Sequence, residues 1–203
     1  MNAATQSREF WYAKGQSVMV PMMSGIHSLP FVRFSDKGFS LLEKPLKGDR
    51  FSLVFLLPKR KWDMKEVDKV LNGFYLLKDL VSQARTTGVS VILPRFTIDS
   101  QINLIPYMQS MGINDLFNRG QADLSGITDS EKLYVNMMKQ ASVLKVTEAG
   151  VEATAVTGVV VVPMSLVLPD VEFHADHPFV CFVYDRELQM PLFAARVTNP
   201  KKA

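Results

Sequence analysis

The stretch Lys145 to Asp170 (KVTEAGVEATAVTGVVVVPMSLVLPD) constrains the fold of this chain more than any other. After Glu152 it carries no charge until its last residue, and its Val, Thr, Ala and Ser residues favour a pleated strand. Gly158, Pro163 and Pro169 interrupt that strand pattern, and Gly and Pro are the residues that most strongly mark turns. We therefore interpret the stretch as a loop that can leave the surface and become a strand of a sheet.

The bulk composition is that of an ordinary globular protein. The chain has 203 residues, 47% of them hydrophobic and 21% charged, and a net charge of +3. Its longest basic run is Lys59-Arg60-Lys61, which we interpret as a solvated turn, so no nucleic-acid partner is expected. No run approaches the roughly 18 apolar residues of a membrane span, and the N-terminus has no signal-peptide core. The single cysteine, Cys181, lies in an apolar run and is expected in the core.

The spacing of apolar runs and turn residues predicts an antiparallel meander followed by short helices. Asp63 is expected to cap the first helix, and Thr86-Thr87-Gly88 to separate the second helix from the next strand. The predicted strands cover residues 7–12, 16–23, 29–34, 39–43, 51–57, 89–93, 180–184 and 192–198, and the predicted helices cover 64–71, 74–85 and 104–111.

Residue patterns typical of enzymes and metal sites are missing from the sequence. The histidines, His27, His174 and His177, lack the spacing of a zinc site, and no nucleophile elbow, phosphate loop or dinucleotide motif occurs. Neighbouring residues of a strand point to opposite faces, so Asp176 is not expected to orient His177. We interpret His177-Pro178-Phe179 as a corner at a strand start. The sequence thus predicts no enzyme, no cofactor and no metal.

The segment Glu148 to Ala155 reads EAGVEATA. It resembles the hinge pattern E-x-G-T-E-A-A-A of the serpins, the family of serine protease inhibitors, with Val151 where Thr or Ser is usual. Phe173 to Phe179 (FHADHPF) matches the family signature F-x-A-D-H-P-F, and Pro191 to Pro200 is similar to P-L-F-x-G-R-V-x-N-P. Further similar segments follow in family order at residues 20–23, 93–96 and 111–127.

The resemblance implies a serpin-like α+β fold, multi-sheet, with mostly antiparallel strands and a few short helices. The family's domain is roughly twice as long as this chain. Residues 1–203 would then form a single partial domain, the C-terminal half, lacking the N-terminal helical half. The reactive loop would cover about residues 148–169.

The resemblance also implies a function, a suicide substrate of serine proteases that is cleaved in its loop and then inserts the loop into a sheet. Counting by the family's spacing puts the reactive bond at Met164-Ser165, with Leu166-Val167 as the second choice. An apolar Met164 suits proteases of the chymotrypsin or elastase kind. The hinge residues would be Glu148, Gly150, Val151, Glu152, Ala153, Thr154 and Ala155.

Other interpretations stay open at this stage. The chain could be a non-inhibitory serpin-type binding or carrier protein, or a truncated half-domain without inhibitory activity. A possible partner, besides a protease, is then the missing N-terminal half. Residues 149–162 could also be a plain core strand, although Gly158 argues against it. The family resemblance implies an extracellular location.

Overall fold

Antiparallel strands dominate the computed structural model, which describes residues 4–73, 75–128, 132–148, 150–151 and 169–201. The chain divides into two compact units, Met1–Thr97 with Lys145–Ala203, and Ile98–Leu144. The predicted α+β class, with mostly antiparallel strands and few short helices, is confirmed. The assignment of residues 1–203 to one partial domain stays a prediction.

Two sheets contain the strands of the described residues. These strands are β1 (Ala4–Ala13), β2 (Gln16–Phe34), β3 (Phe39–Pro45), β4 (Phe51–Pro58), β5 (Arg85–Pro94), β6 (Phe96–Asn103), β7 (Lys139–Thr147), β8 (Gly150–Val151), β9 (Val171–His174), β10 (Phe179–Asp185) and β11 (Met190–Val197). An eight-stranded sheet has the order β11-β10-β4-β3-β2-β5-β9, with β1 paired to β2, and a three-stranded sheet has the order β6-β7-β8. The expected antiparallel meander is formed by β1 to β4.

Strand β2 is continuous, whereas the sequence predicts two strands over 16–23 and 29–34. It pairs with β1 along its first half, with β5 through Met22 to Phe31, and with β3 at its end. Because backbone partners are available along its length, β2 runs through Gly25 and Pro30. The predicted break at Thr86-Thr87-Gly88 is wrong for the same reason, since these residues pair with β2 inside β5.

Helices α1 (Lys65–Asn72) and α2 (Tyr75–Ser82) lie close to their predicted positions. The prediction that Asp63 caps α1 is wrong: Met64 occupies the N-cap position and no side chain caps the helix. Met64 is only 6% exposed, and its burial places the start of α1. One face of each helix packs with the sheet in a buried cluster: Phe34, Phe39, Leu41, Val54, Leu56, Met64, Val67, Val70, Leu77, Leu80, Val180, Phe182 and Tyr184.

Aromatic rings from separate strands form another part of the core. Phe179 lies edge-to-face with Phe10 and Phe96 and is tilted against Phe55, at centroid distances of 5.7 to 6.5 Å. Phe55 in turn contacts Phe173 at 6.4 Å. Such pairs stabilise beyond their burial alone. The cluster therefore fixes the two ends of the segment that joins β9 to β10.

The second unit contains helix α3 (Ile105–Ser110) and the short 3-10 helix η1 (Asp115–Phe117). Gly112 follows α3 with a φ of 91°, a left-handed conformation that is common where a helix ends at glycine. Val135 donates its N–H to the carbonyl of Leu116, and this bond ties the segment before β7 to η1. None of the helices in the described residues is long and apolar enough to cross a membrane.

Candidate functional site

The described residues include both borders of the predicted reactive loop. Glu148, Gly150 and Val151 are placed on the N-terminal side, and Pro169 and Asp170 on the C-terminal side. The remaining site predictions lie outside the described residues: Glu152, Ala153, Thr154, Ala155, Met164, Ser165, Leu166 and Val167.

The start of the predicted hinge is paired to strand β7. Val151 lies opposite Val146 and Gly150 opposite Thr147, in antiparallel register. Strand β8, formed by these two hinge residues, is the last in the order β6-β7-β8. The chain thus reverses direction between β7 and β8. Residues that continue β8 in this direction would extend it along β7.

Glu148 is held by two residues from other parts of the chain. The hydroxyl of Thr5, in β1, donates to Oε1 of Glu148. The guanidinium Nε of Arg95, just after β5, lies 3.4 Å from Oε2. The hydrogen bond from Thr5, with a backbone hydrogen bond and the charge of Arg95, lowers the pKa of Glu148. The predicted hinge therefore begins at an ionised side chain that is attached to the larger sheet.

Asp170 forms a second attachment at the other border. Its Oδ2 accepts hydrogen bonds from the hydroxyl of Thr87 at 2.9 Å and from the N–H of Gly88 at 3.0 Å. Its own N–H donates to the carbonyl of Gly88 at 2.8 Å. The two bonds to the carboxylate lower the pKa of Asp170, with that from Thr87 as the larger cause. Strand β9 starts at the next residue and runs parallel to β5.

In the FHADHPF segment, two titratable side chains that the sequence predicts to point apart are in contact. The Nδ1 of His177 lies 2.6 Å from Oδ1 of Asp176, so the prediction that Asp176 cannot orient His177 is wrong. The rule of alternating faces does not apply, because residues 175–178 lie between β9 and β10 and are not part of a strand. The predicted corner is confirmed, since β10 begins at Phe179.

This arrangement does not make a catalytic triad. The Nε2 of His177 lies 2.8 Å from the carbonyl oxygen of Pro58, which can only accept a hydrogen bond. Nε2 therefore carries the proton in that bond and is not free to take one from a serine hydroxyl. The ring instead links the turn before β10 to the end of β4.

Asp176 also links three segments of the chain. Its Oδ2 lies 2.7 Å from Nζ of Lys61, which sits 5.2 Å above the ring of Trp11. The N–H of Trp11 donates to the backbone carbonyl of Asp176 at 2.8 Å. Burial raises the pKa of Asp176, but the hydrogen bonds from His177 and Lys61 outweigh it and lower the pKa to about 2. The basic run is confirmed as a turn, and Lys61 has a structural contact that the sequence did not indicate.

Cys181 is fully buried in β10, as predicted, and burial raises the pKa of its thiol to about 12. A thiol with so high a pKa is a poor nucleophile. Within the ranges that the structure describes, no cluster of three His, Cys, Asp or Glu residues has the geometry of a metal site.

Comparison with known proteins identifies the family of this chain. A family model described as "Serpin (serine protease inhibitor)" matches residues 1–200. The chain belongs to the serpin family.

Individual relatives agree with the family model. A serpin from the trematode Schistosoma haematobium is 40% identical, with a TM-score of 0.87 over 97% of this chain and 51% of that structure. Human Serpin I2 is 34% identical over 198 residues, 97% of this chain and 48% of the relative. Leukocyte elastase inhibitor A of Mus musculus is 33% identical over 205 residues, 98% of this chain and 54% of the relative. The chain thus spans about half the length of the relatives it matches.

Proposed function

We propose that this chain is the loop-bearing part of a serine protease inhibitor that acts as a suicide substrate. The observation that carries the proposal is the antiparallel pairing of Gly150 and Val151 with the end of β7. This pairing is the first step that a hinge must take to become a strand of that sheet. Membership of the serpin family supports the same conclusion, as does the name of the elastase inhibitor among the relatives.

The proposed reaction starts with the protease treating the loop as substrate. Its serine Oγ bonds to the carbonyl carbon of Met164, the bond from that carbon to the nitrogen of Ser165 breaks, and the freed amine takes a proton. The hinge then continues the pairing that begins at Val151, and the acyl-linked protease moves with it. Each added residue gains ladder hydrogen bonds, which makes the inserted state the more stable one.

The sequence of the hinge suits this insertion. Ala153, Thr154 and Ala155 are small and uncharged, so they can enter a packed sheet without overfilling it. A proline in this run would remove a ladder hydrogen bond, and a charge would be costly to bury. The proposed chemistry belongs to the target protease, so the chain itself is not an enzyme.

The proposed targets are proteases of the chymotrypsin or elastase kind. The unbranched apolar side chain of Met164 fits an apolar specificity pocket, and Leu166, at the alternative bond, favours the same proteases. Inhibition would require the remainder of the inhibitor domain, which we take as the second partner. An extracellular location, where such proteases would be met, stays a prediction of the family resemblance.

Incubation of the full-length protein with elastase and with chymotrypsin tests the proposal. We expect a complex that survives SDS and a released peptide beginning at Ser165, identified by mass spectrometry. A Thr154→Pro variant should be cleaved at the same bond without forming the complex, because proline interrupts the ladder. Met164→Arg should shift the preference toward trypsin.

The outcomes separate the alternatives. Cleavage of the unaltered protein without a complex would reject inhibition and favour a non-inhibitory binding protein or an inactive half-domain. A peptide beginning at Val167 would move the reactive bond to Leu166-Val167.

A further inference from the structure

The two borders of the reactive loop are attached to opposite ends of one strand, β5. Glu148 contacts Arg95, the residue that follows β5, whereas Asp170 contacts Thr87 and Gly88 near its start. From Gly88 to Arg95 a strand spans roughly 23 Å. The chain between the two carboxylates is about 22 residues long and could extend to roughly 70 Å. Its length therefore exceeds the distance between its attachments about threefold.

The two attachments differ in chemistry. Glu148 faces a charged guanidinium and a hydroxyl, so part of its attachment is an ion pair that salt weakens. Among the residues that the structure describes, the donors to the Asp170 carboxylate are neutral: the hydroxyl of Thr87 and the amide of Gly88. Both donors converge on one carboxylate oxygen, which holds Asp170 in a defined position against the backbone of β5.

Strand β9, which starts after Asp170, is short and lies at the end of the sheet order. Its register with β5 runs from Val171 opposite Val89 to His174 opposite Ile92. At its far end the N–H of Ala175 donates to the carbonyl of Ile92 at 2.8 Å. A short strand with a single neighbour in the sheet order opens from its ends, so the bonds at Asp170 decide whether its loop end stays closed.

We infer that Asp170 is a positioning residue for the reactive loop: it fixes the point at which the C-terminal arm of the loop joins the sheet. This inference rests on the proposed function, in which the loop is the bait for a protease. If the Asp170 bonds are lost, the first attachment becomes the pairing of β9 with β5 at Val171. Opening of that short strand as far as Ala175 would lengthen the free chain by up to about five residues. The entropy of loop closure changes little with so small a lengthening. The effect is therefore on where the reactive bond is presented, more than on stability.

Gly88 offers a second way to disturb the same contact without altering Asp170. A Cβ built on Gly88 would lie 3.1 Å from Oδ2 of Asp170, so alanine at this position crowds the carboxylate. Thr87→Val is milder, because it removes one of the two donors and leaves the Gly88 amide in place. Asp123→Ala is the matched control: its carboxylate accepts a hydroxyl and an amide hydrogen bond from Ser125 within a local turn.

Two measurements on the full chain test the inference. The first is amide hydrogen exchange by NMR at Gly88 and at Ala175. In Asp170→Ala we expect roughly tenfold faster exchange at Gly88, and unchanged exchange at Ala175. Thr87→Val should show a smaller increase, and Asp123→Ala none at either amide. Unchanged exchange at Gly88 in Asp170→Ala would overturn the attachment.

The second measurement is the cleavage of the loop by elastase in single turnovers with elastase in excess, where KM is the elastase concentration at half the maximal rate and kcat is that maximal rate. Asp170→Ala and Gly88→Ala should raise KM roughly threefold with kcat unchanged, since presentation of the bond affects substrate and transition state alike. A KM equal to that of the unaltered chain in both variants would overturn the positioning role, even if exchange at Gly88 rises. The comparison of KM between variants needs only cleavage of the loop. Failure to form an SDS-stable complex would therefore reject the proposed inhibition and leave the test of Asp170 intact.

Discussion

Replacing Asp176 by Asn should destabilise the protein in a way that depends on pH. The side chain lies 2.6 Å from His177 and 2.7 Å from Lys61, and these contacts favour its ionised form. Asn keeps the size of the side chain but removes the charge. The substitution therefore isolates the contribution of the carboxylate to folding.

The magnitude follows from the pKa of Asp176, which is lowered from 3.8 to about 2. Taken in full, this shift corresponds to about 2.4 kcal/mol of the free energy of unfolding. The side chain is 37% exposed, so solvent screens the interaction and we expect about 1 kcal/mol. Because the pKa is lower in the folded protein, this stabilisation is present above pH 3.8. It is lost as the pH falls from 3.8 to about 2.

Urea denaturation of the unaltered chain and of Asp176→Asn measures this difference at pH 6 and at pH 3. The difference in the free energy of unfolding between the unaltered chain and Asp176→Asn should be largest at pH 6 and clearly smaller at pH 3. Asp36→Asn is the control, because Asp36 is 72% exposed and its ion pair is with its sequence neighbour, Lys37. A gap of equal size at both pH values, or an equal effect of Asp36→Asn, would refute the role assigned to the carboxylate.

Three other predictions concern the core, the thiol and the hinge attachment. Phe179→Ala removes a fully buried ring with three aromatic neighbours and should lower the free energy of unfolding by about 3–5 kcal/mol in a urea titration. Phe193→Ala is the control, because its ring is 44% exposed and its loss should have a much smaller effect. Cys181 should not react with a thiol reagent at pH 8 in the native chain and should react fully in urea; rapid labelling of the native chain would contradict its burial. A double-mutant cycle on Glu148 and Arg95 should give a coupling of about 0.5 kcal/mol that decreases with salt, and a coupling that salt leaves unchanged would argue against an ion pair.

Features set by neighbouring residues were predictable from the sequence. The turn after α3 requires positive φ at Gly112, and a glycine meets that requirement without steric cost. The apolar run around Cys181 indicated a buried strand, and β10 is one. The family was recognisable for a related reason, because motifs such as FHADHPF are contiguous in the chain and their residues can be compared directly.

Features set by distant partners were not predictable in this way. Strand β2 stays continuous because neighbouring strands supply hydrogen-bond partners along it, which no local propensity for Gly25 or Pro30 could indicate. Asp63 has the chemistry of a helix cap, yet the burial of Met64 governs where α1 begins.

The candidate site also combines features set by neighbouring residues with features set by distant partners. The sequence by itself determined the family, the composition of the proposed hinge and the position proposed for the reactive bond, because each depends on the order of residues along the chain. Only the tertiary structure decided what holds that segment: Thr5 on Glu148 and Thr87 on Asp170 act across 143 and 83 positions of the chain. Hydrogen bonds depend on distances of about 3 Å in space, and folding alone brings such residues together.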